Sequence, residues 1–446
     1  MFDHMINLVD LALSAKHGSS SASNLQRDHQ TLISNSHHLR ELKLSYLDQL
    51  APPVYVPLIF FYQADESRGL TASNHLQLSQ HLKQSLSNTL TSFYPLAGRI
   101  QHSSVVDCSD AGAEFIEARV QAQLKDALQE PIIQQLKYLP ADATAGSLLG
   151  AALIVVKITF FDCGGIAVGV CVSHKLADCV SIMAFINAWA ASCRGEAEFS
   201  RLISFDLVMY FPSRDFPGSD SNLPFPASKE KLVTKRFVFD KEKLAALKEA
   251  ATSPSVKDPT RVEVVSAFIW KHFIDVAKSE NPETKKTFLA SHPVNLRPRT
   301  SPHLRLENIF GNCIMPAMAT SNLQDIADFH ELVGRLRSGF RRIDEDYIGE
   351  AQNGDNYLND IMNLNCLLVE GGLEIYSCSS WCGFAVYEVD YGWGKPVSFC
   401  TSSLPLRNSS ILVNSRAGDG VEAFVTLPED NVEILESQIK LLSDAN

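Results

Sequence analysis

No CxxC pair occurs among the ten cysteines, which run singly from Cys108 to Cys400. The nearest approach, Cys378 with Cys382, suits neither a zinc ribbon nor a redox motif. Scattered in this way they read as reduced, mostly buried thiols in a cytoplasmic protein, with no metal site. Positive charge is also in short supply. Lys and Arg number 39 against 51 Asp and Glu, a formal net charge of −12. That argues against nucleic-acid binding, where phosphate contacts demand a basic surface, but leaves room for an anionic small ligand held by local charge. Long apolar runs are missing too. The most apolar stretch, from Ala151 to Phe161, contains Lys157 and falls far short of the roughly 20 residues of a membrane span. The opening MFDHMINLVDLALSAKHG has no positive n-region and is interrupted by Asp10, so it does not read as a secretory signal. There is no internal repeat and no heptad seam, and a monomer is expected.

What remains is ordinary globular composition, 45% hydrophobic and 20% charged, in a chain of 446 residues. That length suits two domains. Residues 1 to about 35 are polar and rich in Ser, Asn and His, and are not assigned to a core. Leu78, Leu82, Leu86 and Leu90 recur every fourth position and predict a helix over 76–93 that stops before Pro95. Two strands, 153–161 and 166–173, flank a hairpin turn at Asp162-Cys163-Gly164-Gly165. A helix from Ala177 to Arg194 should end at Gly195. From about 204 to 233 Pro212, Pro217, Pro224 and Pro226 mark a crossover linker.

Beyond it the pattern predicts strands near 235–239 and 287–294, helices near 241–252, 262–278 and 322–343, and strands near 383–390, 396–401, 409–415 and 420–427. A last helix is expected over 429–442. The expectation is an α/β (α+β) chain of an N-terminal domain, 1–203, the linker, 204–233, and a C-terminal domain, 234–446.

Two places could carry chemistry. In Ser173-His174-Lys175-Leu176-Ala177-Asp178, His174 falls where a buried strand gives way to a helix, a position that loads a side chain into a cleft. An imidazole is the natural general base near neutral pH. An acid four residues after a histidine is common, as in His37 with Glu41 and His303 with Glu307; only His174 combines an Asp at that offset with a strand–turn–helix context. On helical geometry Asp178 would share a face with His174, free either to orient the ring or to point away and serve structure. The second place is Asp390-Tyr391-Gly392-Trp393-Gly394-Lys395-Pro396, where two glycines around a tryptophan describe a sharp turn of close approach. Trp393 could donate its indole N–H in a closed site or simply pack.

HKLAD followed far downstream by DYGWGKP resembles the plant BAHD acyltransferases, whose pattern is HxxxD plus DFGWG. The likeness covers nearly the whole chain. It extends to Leu44-Ser45-Tyr46-Leu47-Asp48-Gln49, Thr91 to Arg99, Val294-Asn295-Leu296-Arg297, Gly311-Asn312 and Gly418 to Glu422. The wording of KRFVFDKEKL and FDCGG is similar to the family's alkaloid O-acetyltransferases. The resemblance implies two chloramphenicol-acetyltransferase-like domains, mixed sheets flanked by helices, with a channel between them. His174 would sit mid-channel and deprotonate a small-molecule alcohol as it attacks an acyl-CoA thioester, with acetyl-CoA the expected donor. No cofactor is permanently bound, and no acyl-enzyme forms. Asp178 would turn away and pair with Arg297. Asp390, with Gly392 and Gly394, would support the loop, and Trp393 would assist the oxyanion.

Thr260 and Arg261 at a helix start, with Lys235 and Arg236, lie where the family contacts CoA. The alternatives are another donor (malonyl- or longer acyl-CoA), an amine acceptor, or a ligand-binding member without turnover. Two features depart from the family: Tyr391 stands where Phe is usual, and Ser34-Asn35-Ser36-His37-His38 replaces the usual N-terminal segment, so the first strand is expected to be altered.

Overall fold

The computed structural model describes residues 25–33, 41–102, 104–129, 135–139, 149–196, 203–215, 230–300, 303, 306–322, 328–353, 356–401 and 406–444. In the first half β1 (Leu25–Ile33), β2 (Glu41–Lys43), β3 (Tyr55–Tyr62), β4 (Arg99–His102), β5 (Val105–Asp107), β6 (Ala113–Val120), β7 (Ile154–Phe161) and β8 (Ile166–Ser173) follow in order. The second half supplies β9 (Leu232–Phe239), β10 (Thr287–Asn295), β11 (Ile314–Asn322), β12 (Leu373–Ser380), β13 (Ser398–Cys400), β14 (Ser409–Asn414) and β15 (Val421–Pro428).

The strands build two six-stranded mixed sheets, ordered β1-β6-β7-β8-β3-β13 and β11-β10-β12-β14-β15-β9, and a small sheet β2-β5-β4. The chain is therefore mixed α/β. β13 comes from the second half yet pairs with β3, Ser398 opposite Phe61, so the chain returns to its first sheet.

The apolar runs become the centre of that sheet. Every residue of β7 and β8 is buried, and their pairing sets Ile154 opposite Val172. Each such Val, Ile or Phe contributes roughly 1.5–3 kcal/mol by leaving water. Lys157, the one charge in the run, donates to the carbonyls of Lys137 (2.6 Å) and Leu139 (3.3 Å). The helix His75–Ser92 buries Leu82, Leu86 and Leu90 against this core. All ten cysteines are free thiols. Among the described residues no helix is long and apolar enough to cross a membrane.

Several elements differ from the pattern read in the sequence. Residues 25–33, not assigned to a core there, form the edge strand β1, antiparallel to β6 with a register shift between Arg27 and His29. Ser34 to His38 lie outside the described residues.

Of the stretch 322–343, where a helix is expected, Asn322 ends a strand and Phe329–Arg342 form a helix, while 323–327 lie outside the described residues. β11 was not foreseen; it holds Pro316, which it tolerates because it is the sheet's edge. β12 and the helices Glu345–Asn353 and Asn356–Val369 were not foreseen. The strand expected near 383–390 is a turn, helical only at Val386–Glu388. Of the Pro-rich crossover, 216–229 lie outside the described residues; before them Leu207 and Phe211 are buried.

Candidate active site

β8 ends at Ser173, and His174 is the next residue, its backbone N–H donating to the Val54 carbonyl at 2.8 Å. The chain then turns, the Leu176 N–H reaching back to the Ser173 carbonyl. The helix begins only at Cys179, with Asp178 as its N-cap and the Asp178 carboxylate accepting from the Ser181 N–H at 2.8 Å. Residues 174–178 are thus not helical, and the shared helical face allowed for His174 and Asp178 does not form.

Asp178 instead meets Arg297. Its Oδ2 accepts from the guanidinium at 2.7 Å and from the Cys313 N–H at 3.1 Å. Arg297 also donates to the Ile309 and Gly311 carbonyls and to the Ser181 hydroxyl. The pair ties the start of one helix in the first half to the segment between β10 and β11 in the second.

The same segment delivers Gly311-Asn312. Gly311 has φ 146°, and a Cβ there would stand 2.8 Å from the Leu207 side chain. Asn312 Oδ1 lies 3.0 Å from His174 Nδ1, while its Nδ2 contacts Asp48 Oδ1 at 2.9 Å and the His174 carbonyl at 2.8 Å. Asp48 sits in a short helix, Tyr46–Leu50, closed by a capping box with Ser45. Burial is the main influence on the His174 ring and pulls its pKa below the ordinary 6.5. Its own carbonyl, Asp178 and the Asn312 bond pull the other way.

The ring borders a cavity of about 440 Å³ walled by both halves of the chain. Leu47, Leu50, Val56 and Pro57 line it from the first half, and Pro293, Ile314, Tyr357, Ile361, Trp381 and Ile411 from the second. One wall is hydroxylic. Ser291, Ser377 and Ser409 stand in register across β10, β12 and β14, and all three line the cavity. A space of this size, mostly apolar with a few convergent polar groups, suits a small organic ligand.

The glycine-rich loop is placed differently. The Asp390 carboxylate accepts from the N–H groups of Gly392 (2.7 Å) and Gly394 (2.8 Å), and both glycines have positive φ. Arg194 donates to the Asp390 carbonyl. Tyr391 and Trp393 stack at 5.5 Å and pack edge-on against Tyr62, inside the first core. Trp393 is not among the residues lining the His174 cavity. The loop leads into β13, and so fixes the return of the chain to the first sheet.

The residues singled out for CoA are all engaged by protein. Thr260 caps the helix Arg261–Glu280 in a capping box with Glu263. Arg261 donates to the Gly418 carbonyl and to Asn414. Lys235 pairs with Glu436 and Arg236 with Glu422. None of the four lines the His174 cavity. In the sequence Asp48 stands out only within Leu44 to Gln49, and Asn312 only beside Gly311. Their role is one of contact across the fold, which a one-dimensional pattern does not carry.

A family model described as "Transferase family" matches residues 27–442. Vinorine synthase of Rauvolfia serpentina is 42% identical over 416 residues, covering 92% of this chain and 94% of that protein. Stemmadenine O-acetyltransferase of Catharanthus roseus is 40% identical over 417 residues, with 92% and 94% covered. The crystal structure of vinorine synthase superposes with a TM-score of 0.78 at 39% identity, over 94% of this chain and 98% of that one. F. graminearum TRI101, crystallised with coenzyme A and deoxynivalenol, shares the fold at TM-score 0.68 and 17% identity, over 90% of this chain and 97% of that one.

Proposed function

Since the chain belongs to the transferase family of BAHD acyl-CoA-dependent acyltransferases, we propose that it moves an acetyl group from acetyl-CoA to a hydroxyl of a polycyclic plant alkaloid, with His174 as general base. The observation that carries this reading is the position of the His174 ring on a mostly apolar cavity walled by both halves of the chain. Two relatives at 40% identity or more, vinorine synthase and stemmadenine O-acetyltransferase, support this reading, the second by the acetyl group that its name carries.

The chemistry follows from a neutral imidazole. Its burial favours the unprotonated ring, which takes the proton from the acceptor hydroxyl as that oxygen attacks the thioester carbonyl. A carbon–oxygen bond forms, the carbon–sulfur bond breaks, and the proton passes from His174 to the departing CoA thiolate. Asp178 takes no part in this exchange and holds Arg297. The hydroxyls of Ser291 and Ser377 offer polar contacts on one wall, while Pro57, Ile361 and Trp381 exclude water from the hydrocarbon.

The test is release of CoA thiol when purified protein meets acetyl-CoA and a panel of alkaloid alcohols, with malonyl-CoA and longer acyl-CoAs in competition. Acetyl transfer abolished in His174→Ala is the expected result. Turnover that survives in that variant at more than a few per cent would sink the assignment.

A further inference from the structure

Asn312 is 1% exposed, and every polar atom of its side chain is engaged. The end of the amide that touches the His174 carbonyl must be the NH2, because a backbone carbonyl can only accept. The amide therefore cannot be turned round. Its oxygen is the atom 3.0 Å from His174 Nδ1, and an amide oxygen also only accepts. Nδ1 must carry the hydrogen. Asn312 thus grips one residue twice, by its ring N–H and by its carbonyl.

Behind it, the Asp48 carboxylate receives four donors. Asn312 N–H (2.7 Å) and Nδ2 (2.9 Å) reach Oδ1, and Ser45 N–H (3.0 Å) and Oγ (2.6 Å) reach Oδ2. Burial raises the Asp48 pKa while these four bonds oppose the rise.

We propose that Asn312, held in place by Asp48, is the positioning residue that keeps the His174 imidazole in its Nδ1–H tautomer and leaves Nε2 as the base. This rests on the acyl-transfer reading above. A ring whose tautomer is set by the bond at one nitrogen has the other committed to its task. When the proton arrives, the imidazolium faces an amide dipole with a carboxylate behind it, and Asp178 is already bound to Arg297.

The other charged groups bearing on the ring are Asp178 and Lys175, whose ammonium donates to the Gln49 carbonyl at 2.7 Å. Tyr55, Tyr357 and Cys179, the remaining titratable groups of the cavity wall, have pKa values raised by burial and stay neutral. None of these is altered in the variants below.

Nitrogen NMR of 15N-histidine-labelled protein, with His174→Gln to identify the signals, reads the tautomer directly. A His174 Nδ1–H pattern is expected, and an Nε2–H pattern overturns the proposal even if the enzyme is active. In kinetics, Asn312→Ala should lower kcat by about 10²-fold, the lower end of what a general base contributes, with little change in KM. Its acid limb should move to lower pH, because a bond that favours the imidazolium is gone. The exchange variant Asp48→Asn/Asn312→Asp puts a carboxylate directly on Nδ1, while its second oxygen opposes the His174 carbonyl that the amide NH2 satisfied. It should move the acid limb to higher pH. Superimposable pH profiles for the three proteins would overturn the assignment. Absence of any acyl transfer would refute the functional reading while the NMR pattern still decided the tautomer.

Discussion

Asp178 and Arg297 meet at 2.7 Å between a helix cap in the first half of the chain and a turn in the second, and both side chains are almost wholly removed from water. The pair faces structure. The aspartate is capping a helix, accepting from Ser181 and Cys313, and neutralising the arginine at once. Whatever the HxxxD spacing suggests, the carboxylate has no capacity left for the imidazole.

Removing it should therefore be a stability event. Asp178→Ala leaves a buried guanidinium unpaired, which costs about 3–5 kcal/mol. The urea midpoint should drop accordingly. Activity per folded molecule should fall far less than in His174→Ala, and a fall of equal size would return Asp178 to the chemistry.

The pH profile of acyl transfer follows from the burial of His174. Its pKa is lowered from 6.5, so the neutral base persists below that value and is lost only as pH falls through the lowered pKa. The acid limb of kcat/KM should lie below pH 6.5. His174→Ala should remove that limb together with about 10²–10⁴-fold of the rate. A limb above 6.5 in the wild type would contradict the burial argument.

Tyr391 is buried, and its hydroxyl finds no hydrogen-bond partner among the described residues. An unsatisfied buried hydroxyl costs about 1–3 kcal/mol. Tyr391→Phe should accordingly leave kcat unchanged and raise stability by roughly 1 kcal/mol, seen as a higher melting temperature. Destabilisation by this substitution would mean that the hydroxyl has a partner in solution.

His292 is buried with its Nε2 at 2.9 Å from the Ser266 hydroxyl, and desolvation pushes its pKa down to about 3. The unfolded chain binds a proton there near pH 6.5, and the folded chain does not. Stability should therefore fall as pH drops from about 6.5 toward 3, with a slope of up to about 1.4 kcal/mol per unit from this one group. His292→Gln should flatten the pH dependence of the urea midpoint. An unchanged slope would show that His292 is not the group responsible.

The hairpin of β7 and β8 at the centre of the first sheet was legible because its signals are local, whereas β3 and β6 beside it were not read. The runs 154–161 and 166–173 are apolar on both faces, and a strand buried on both faces needs that composition. Around the cavity the legibility failed for a physical reason. β12 carries Ser377, Ser379 and Ser380, where a buried strand would ordinarily hold Val or Ile. Those positions face a ligand space, so their side chains answer to the cavity and not to the sheet. The turn at Val386–Glu388, which reads as a strand, misled for another reason, since loop geometry is not encoded in neighbouring residues.

The sequence by itself determined the strand–turn–helix that brings His174 to a cleft edge, the glycine-rich loop and the acyltransferase family, all of which live in short spacings. Only the tertiary structure decided what holds the ring. Asn312 is 138 residues from His174 and 264 from Asp48, and Arg297 is 119 from Asp178. Such contacts exist because both halves of the chain wall one cavity. The order of neighbours along the chain says nothing of which side chains will meet there.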